Sequence, residues 1–108
     1  MVQNIKRAND LLNQKLAELV NQLVEFPDGL LTVVYTDLSG DGREARVGVS
    51  VLPIGLYGTA LRQLKKMSAN IAKLAAKQCR LSRVPRIIWL IDDTAEQADR
   101  LDRLMNSL

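Results

Sequence analysis

Arg43-Glu44-Ala45-Arg46-Val47-Gly48-Val49-Ser50-Val51-Leu52 alternates with a period of two: Ala45, Val47, Val49 and Val51 fall on one side, Arg46, Gly48 and Ser50 on the other. Successive side chains of a strand point to opposite faces, so this stretch reads as a strand with one buried face. Just before it, Ser39-Gly40-Asp41-Gly42 supplies turn chemistry, since glycine accepts positive φ. Leu30 to Leu38 is rich in β-branched and aromatic residues and reads as the other arm of a β-hairpin.

Working outward, Ile5, Ala8, Leu12, Leu16, Leu19 and Leu23 recur at steps of three and four, which predicts an amphipathic helix from Ile5 to Val24. Phe26-Pro27-Asp28-Gly29 stops it. On the other side, Pro53-Ile54-Gly55 breaks the second strand, and Leu56 to about Arg80 is helical by pattern, with an interruption expected near Ser68-Ala69-Asn70. After Arg83-Val84-Pro85, the apolar run Ile87-Ile88-Trp89-Leu90-Ile91 reads as a buried strand. Thr94 with Gln97 fits a capping box, and Ala98, Leu101, Leu104, Met105 and Leu108 share one face of a last helix. The expected order is α-β-β-α-kink-α-β-α: an α+β fold, one three-stranded sheet backed by helices, in a single domain over residues 1–108.

Composition removes several function classes. The chain has no histidine and one cysteine, Cys79, so imidazole ligands, Ser-His and Cys-His nucleophile pairs, an internal disulfide and a thiolate zinc cluster are all excluded. The first residues lack the apolar run of a secretory signal, and no stretch approaches a membrane span; with a lone thiol, the expected location is the cytoplasm. No cofactor, metal, membrane or small-molecule substrate is implied, and a monomer is expected.

Charge is segregated. Residues 45–91 hold nine basic side chains and no acidic one, whereas the flanking segments are each net acidic. On a helical wheel with Leu64 at zero, Leu61, Met67, Ile71, Leu74 and Ala75 lie within roughly 80° of it. Arg62, Lys66, Lys73, Lys77 and Arg80 lie within about 40° of the opposite side, and Lys65 sits on the flank. Lysine-rich surface helices usually interleave glutamate for i,i+4 pairing; none occurs here. Aligned cations without carboxylates repel one another unless a polyanion neutralises them, so the stripe points to a phosphate backbone. The aromatics Phe26, Tyr35, Tyr57 and Trp89 form no stacking row, which places recognition on helices, by charge and shape. The expected contact residues are Arg62, Lys65, Lys66, Lys73, Lys77 and Arg80, with Arg83 and Arg46.

The element order, with a helix pair between strands two and three, is similar to a type II KH domain. More closely, the chain resembles the ribosome-binding factor A family along nearly its whole length. The resemblance is carried by Leu31-Thr32-Val33-Val34, Asp41, and Ala45-Arg46-Val47-Gly48-Val49-Ser50-Val51. It continues in the closing run Arg83-Val84-Pro85-Arg86-Ile87-Ile88-Trp89-Leu90-Ile91-Asp92-Asp93, with its proline before the third strand. That family replaces the KH Gly-x-x-Gly loop with an Ala-x-Gly kink; Ser68-Ala69-Asn70 occupy the matching positions, and asparagine tolerates left-handed backbone best after glycine. The resemblance implies binding to small-subunit ribosomal RNA in immature particles, aiding late maturation, 5′-end processing included, and growth in the cold.

Other motifs have plainer readings. Gly55-Leu56-Tyr57-Gly58 matches Gly-x-x-Gly literally but precedes the helix pair and holds no cation, so it reads as a connector. Asp37 to Gly42 imitates the opening of a calcium loop, yet the twelfth position is Gly48 instead of glutamate. An enzyme reading would make Asp92 and Asp93, with Asp37 or Asp41, a magnesium-dependent nuclease; adjacent carboxylates on a strand diverge, and capping accounts for them better. A KH-like module for other structured RNA is the remaining alternative.

Overall fold

The computed structural model describes residues 2–92 and 104–106, with side chains from Lys6 onward. Helix α1 runs Val2–Leu23, strand β1 Leu30–Leu38 and strand β2 Glu44–Leu52; a single 3-10 turn, Ile54–Leu56, leads into helix α2, Tyr57–Gln78, and strand β3 spans Arg86–Ile91. The capping box at Thr94 and Gln97, together with Ala98 and Leu101, lies outside the described residues. Leu104 to Asn106 are helical, as expected for that part of the last helix.

The sheet has the order β1-β2-β3, with β1 antiparallel and β3 parallel to β2. The period-two reading of β2 matches the structure: Ala45, Val47 and Val49 are fully buried and Val51 nearly so. Ala45, Val47 and Val49 share one core with Leu12, Leu16, Leu19 and Val20 of α1 and Leu64, Ile71, Ala72 and Ala75 of α2. Each fully buried valine or leucine stabilises the fold by about 1.5–3 kcal/mol.

Strand β1 carries a bulge. The register passes from Val33↔Val49 to Tyr35↔Gly48, so Val34 is the extra residue. A bulge shifts the inward phase by one position: Leu31, Val33, Thr36 and Leu38 turn toward the helices, and Tyr35 and Asp37 turn outward. The Tyr35 ring then covers Gly48, and any Cβ on Gly48 would collide with it. Inward-facing Thr36 is satisfied because its hydroxyl donates to Asn13 Oδ1 at 2.9 Å. One turn earlier on α1, Asn9 Oδ1 accepts the Leu38 N–H at 2.9 Å, so two asparagines tie the first helix to the strand. At the hairpin tip, Gly42 takes φ 74°. Asp41 Oδ1 there accepts from the Arg43 N–H and from Ser39 Oγ, which together hold its carboxyl below the usual carboxylate range.

Helix α2 corrects one expectation. It runs unbroken through Ser68-Ala69-Asn70, and Asn70 does not take positive φ. Packing explains the continuity: Leu64, Ile71 and Ala75 stay in phase on one buried face across the expected break. Ser68 Oγ also accepts the Trp89 Nε1–H at 3.2 Å, which fastens mid-helix to β3. These contacts outweigh the weak helix propensity of serine and asparagine. Two details of the wheel also change. Leu74 is 39% exposed, because the core side is centred nearer the alanines Ala60, Ala72, Ala75 and Ala76. The helix also ends at Gln78, short of Arg80. Among the described residues, no helix is long and apolar enough to cross a membrane.

Two outcomes follow from a continuous helix. Asn70→Gly lowers stability by up to about 1 kcal/mol, while Asn70→Ala raises it by several tenths; thermal melts that show glycine stabilising would restore the kink. Ser68→Ala leaves the Trp89 N–H without its acceptor and costs about 1 kcal/mol, read by urea unfolding.

Candidate nucleic-acid interface

Because the alanine side of α2 lies against the sheet, its opposite side faces solvent. Arg62, Lys65, Lys66, Lys73 and Lys77 are all exposed there. None is paired with a carboxylate among the described residues, where the ion pairs are Lys15–Glu18 at 3.5 Å and Arg43–Asp41 at 3.8 Å. Arg62 donates to the Thr59 hydroxyl one turn back, at 3.2 Å. The face is a row of cations over a rigid, well-packed support.

Beside this row, α2 and the segment leading into β3 enclose a cleft of about 330 Å³. Ala69, Ala72, Val84, Pro85 and Ile87 make it largely apolar; Ser68, Lys73 and Arg86 complete its lining. An apolar cleft with a few polar groups suits a planar ring with a charged attachment. A second cleft, about 380 Å³, lies where α1 meets β1, lined by Val20, Val24, Phe26 and Leu30 with Asn21 and Glu25. It carries a carboxylate and no cation, so it does not suit a polyanion.

The structure does not bring all the expected cations together. Arg46 alternates with buried Ala45 and Val47, so it projects from the sheet face away from α2. It sits in register with Asp37 and shares a small pocket with Asp37 and Glu44. Arg83 is exposed, and its side chain lies over Gly42 at the hairpin tip, where a Cβ would meet Arg83 Cγ at 3.6 Å. Arg80 stands just beyond the helix, so its place on the wheel no longer applies. Arg86 is the residue that sequence reasoning passed over. It belongs to the same acid-free stretch, but only the parallel pairing of β3, with the Arg86 N–H on Arg43 O at 2.8 Å, sets it beside the α2 cleft.

The Asp92 N–H donates to Val49 O at 2.7 Å, extending the β2–β3 pairing, and Asp93 lies outside the described residues. Cys79 is half-buried, and burial pushes its thiol above the ordinary range, the opposite of what a thiolate nucleophile needs. Among the described residues no three carboxylate or thiol groups are close enough to hold a metal ion together.

The family model described as ribosome-binding factor A matches residues 4–105. Ribosome-binding factor A of Natranaerobius thermophilus is 30% identical over 105 residues, covering 95% of this chain and 80% of the relative. That of Chlamydia pneumoniae is 33% identical over 105 residues, covering 94% and 88%. The crystal structure of ribosome-binding factor A from Thermus thermophilus superimposes with a TM-score of 0.72 at 31% identity, over 81% of this chain and 94% of that one. A homology model of the Thermus thermophilus factor, fitted into a cryo-EM map of its 30S complex, gives 0.64 at 32% identity, over 78% and 90%. With a three-stranded sheet and two backing helices in the same arrangement, and the family pattern matched over residues 4–105, the chain belongs to the ribosome-binding factor A family.

Proposed function

We propose that the chain binds ribosomal RNA of the small ribosomal subunit through the cationic face of α2 and the cleft between α2 and β3. The observation that carries this reading is the solvent face of α2, with Arg62, Lys65, Lys66, Lys73 and Lys77 exposed and no carboxylate paired to any of them among the described residues. Phosphates meet the lysines and release counterions, while the apolar cleft admits part of a nucleotide between Lys73 and Arg86. The 30S complex of the Thermus thermophilus relative supports the small subunit as partner. The protein then acts in the cytoplasm on immature small subunits, aiding late RNA maturation, 5′-end processing and growth in the cold. It works as a monomeric single domain over residues 1–108, without cofactor and without catalysing a reaction. No observation favours the nuclease alternative: among the described residues no three carboxylate or thiol groups gather.

The test is a triple variant, Lys66→Gln with Lys73→Gln and Lys77→Gln. All three side chains are exposed, so its melting temperature stays close to that of the parent. Each lost phosphate contact lowers the salt slope of binding by about one unit. In sucrose gradients the variant leaves the small-subunit fraction at physiological salt. A folded variant that still sediments with small subunits, at parental affinity and salt slope, removes the α2 face as the RNA surface.

A further inference from the structure

Helix α2 ends in an unusual way. Cys79 closes the helix at φ −90°, and Arg80 then takes φ 55°, the one positive φ outside glycine among the described residues. The Leu81 N–H donates to Ala76 O at 2.9 Å and the Arg80 N–H to Lys77 O at 3.3 Å. This six-to-one and five-to-two pair is a Schellman motif, whose left-handed position is normally glycine because any Cβ there crowds the backbone. Every backbone hydrogen bond of the motif would form as well with glycine. Only the side chain, therefore, distinguishes arginine at this position.

The surroundings suit an anion. Arg80 is exposed, and no carboxylate among the described residues forms an ion pair with it. Lys77, from the last turn of α2, is exposed beside the motif. A helix C-terminus ordinarily presents bare carbonyls that repel phosphate. Here the N–H groups of Leu81 and Arg80 occupy the carbonyls of Ala76 and Lys77, and the Lys77 and Arg80 cations offset the negative end of the helix dipole. Downstream, Arg83 in the connecting segment and Arg86 at the start of β3 are also exposed.

We propose that Arg80 is a phosphodiester-binding residue, held in a left-handed conformation that costs folding stability because its guanidinium grips an RNA phosphate. The inference rests on the RNA reading above and adds a trade between stability and binding at one residue. A guanidinium fork matches two phosphate oxygens at once, which a lysine ammonium cannot do.

Arg80→Gly, Arg80→Ala and Arg80→Lys are compared with the parent by thermal melts and by binding to purified small ribosomal subunits over a salt series. Arg80→Gly melts higher by about 4 °C, yet binds about tenfold more weakly, with a salt slope lower by about one unit. Arg80→Ala loses binding equally but keeps its Cβ, so it gains no such stability. Arg80→Lys keeps the salt slope and loses only part of the affinity. Parental affinity and slope in Arg80→Gly overturn the proposal, as does the absence of any rise in its melting temperature. If the triple lysine variant has lost binding while Arg80→Gly has not, the role of Arg80 falls and the α2 face stands. If neither variant loses binding, the RNA reading itself fails.

Discussion

Strand β2 is bordered by a strand on each side and by both helices on one face, and this enclosure shapes everything around it. Ala45, Val47 and Val49 must all be small or β-branched, because α1 and α2 close over them and leave no exposure. Helix α2 answers with alanines at Ala60, Ala72, Ala75 and Ala76, which allow its backbone to approach the sheet. Trp89 fills the remaining space, and its indole N–H reaches Ser68 on the same helix. A buried indole needs an acceptor, so the serine that weakens the helix locally also fixes its position on β3.

That packing decides where charge can go. With one side of α2 committed to the core, its basic residues have only the opposite side, and they collect there without carboxylates between them. On the other face of the sheet, Arg46 stands in register with Asp37 and in one pocket with Glu44, so that face offers no comparable field. For the polyanion partner proposed above, the helix side is therefore the cationic one. That side holds an unbroken helix and an apolar cleft, features set by the core and not by the cations themselves.

The same segregation makes the α2 face costly for the chain on its own. Adjacent like charges on one helix face lower its stability, and the left-handed Arg80 adds to that cost. A protein built for folding stability alone would alternate the lysines with glutamate and end α2 on glycine. Under the proposed function, the compensating charge arrives with the nucleic acid.

Periodicity is a property of neighbouring residues, and what depends on it was legible in the sequence. The alternation of Ala45, Val47, Val49 and Val51 identified β2 and its buried face, and the three-four spacing of Leu12, Leu16 and Leu19 identified α1. The absence of acidic residues from 45 to 91 marked the basic stripe, and the family resemblance followed from motif order over the full length. Register and packing depend on residues far apart in the chain, and these only the tertiary structure decided. The bulge at Val34 turns Thr36 to Asn13, twenty-three residues away, and Tyr35 onto Gly48. Ser68-Ala69-Asn70 looks like a break locally, but Trp89 and the sheet hold it helical. Arg46 and Lys73 share a sign and a stretch of sequence; they end on opposite sides of the molecule because a strand sends alternate residues to opposite faces, whereas a helix gathers every third or fourth onto one.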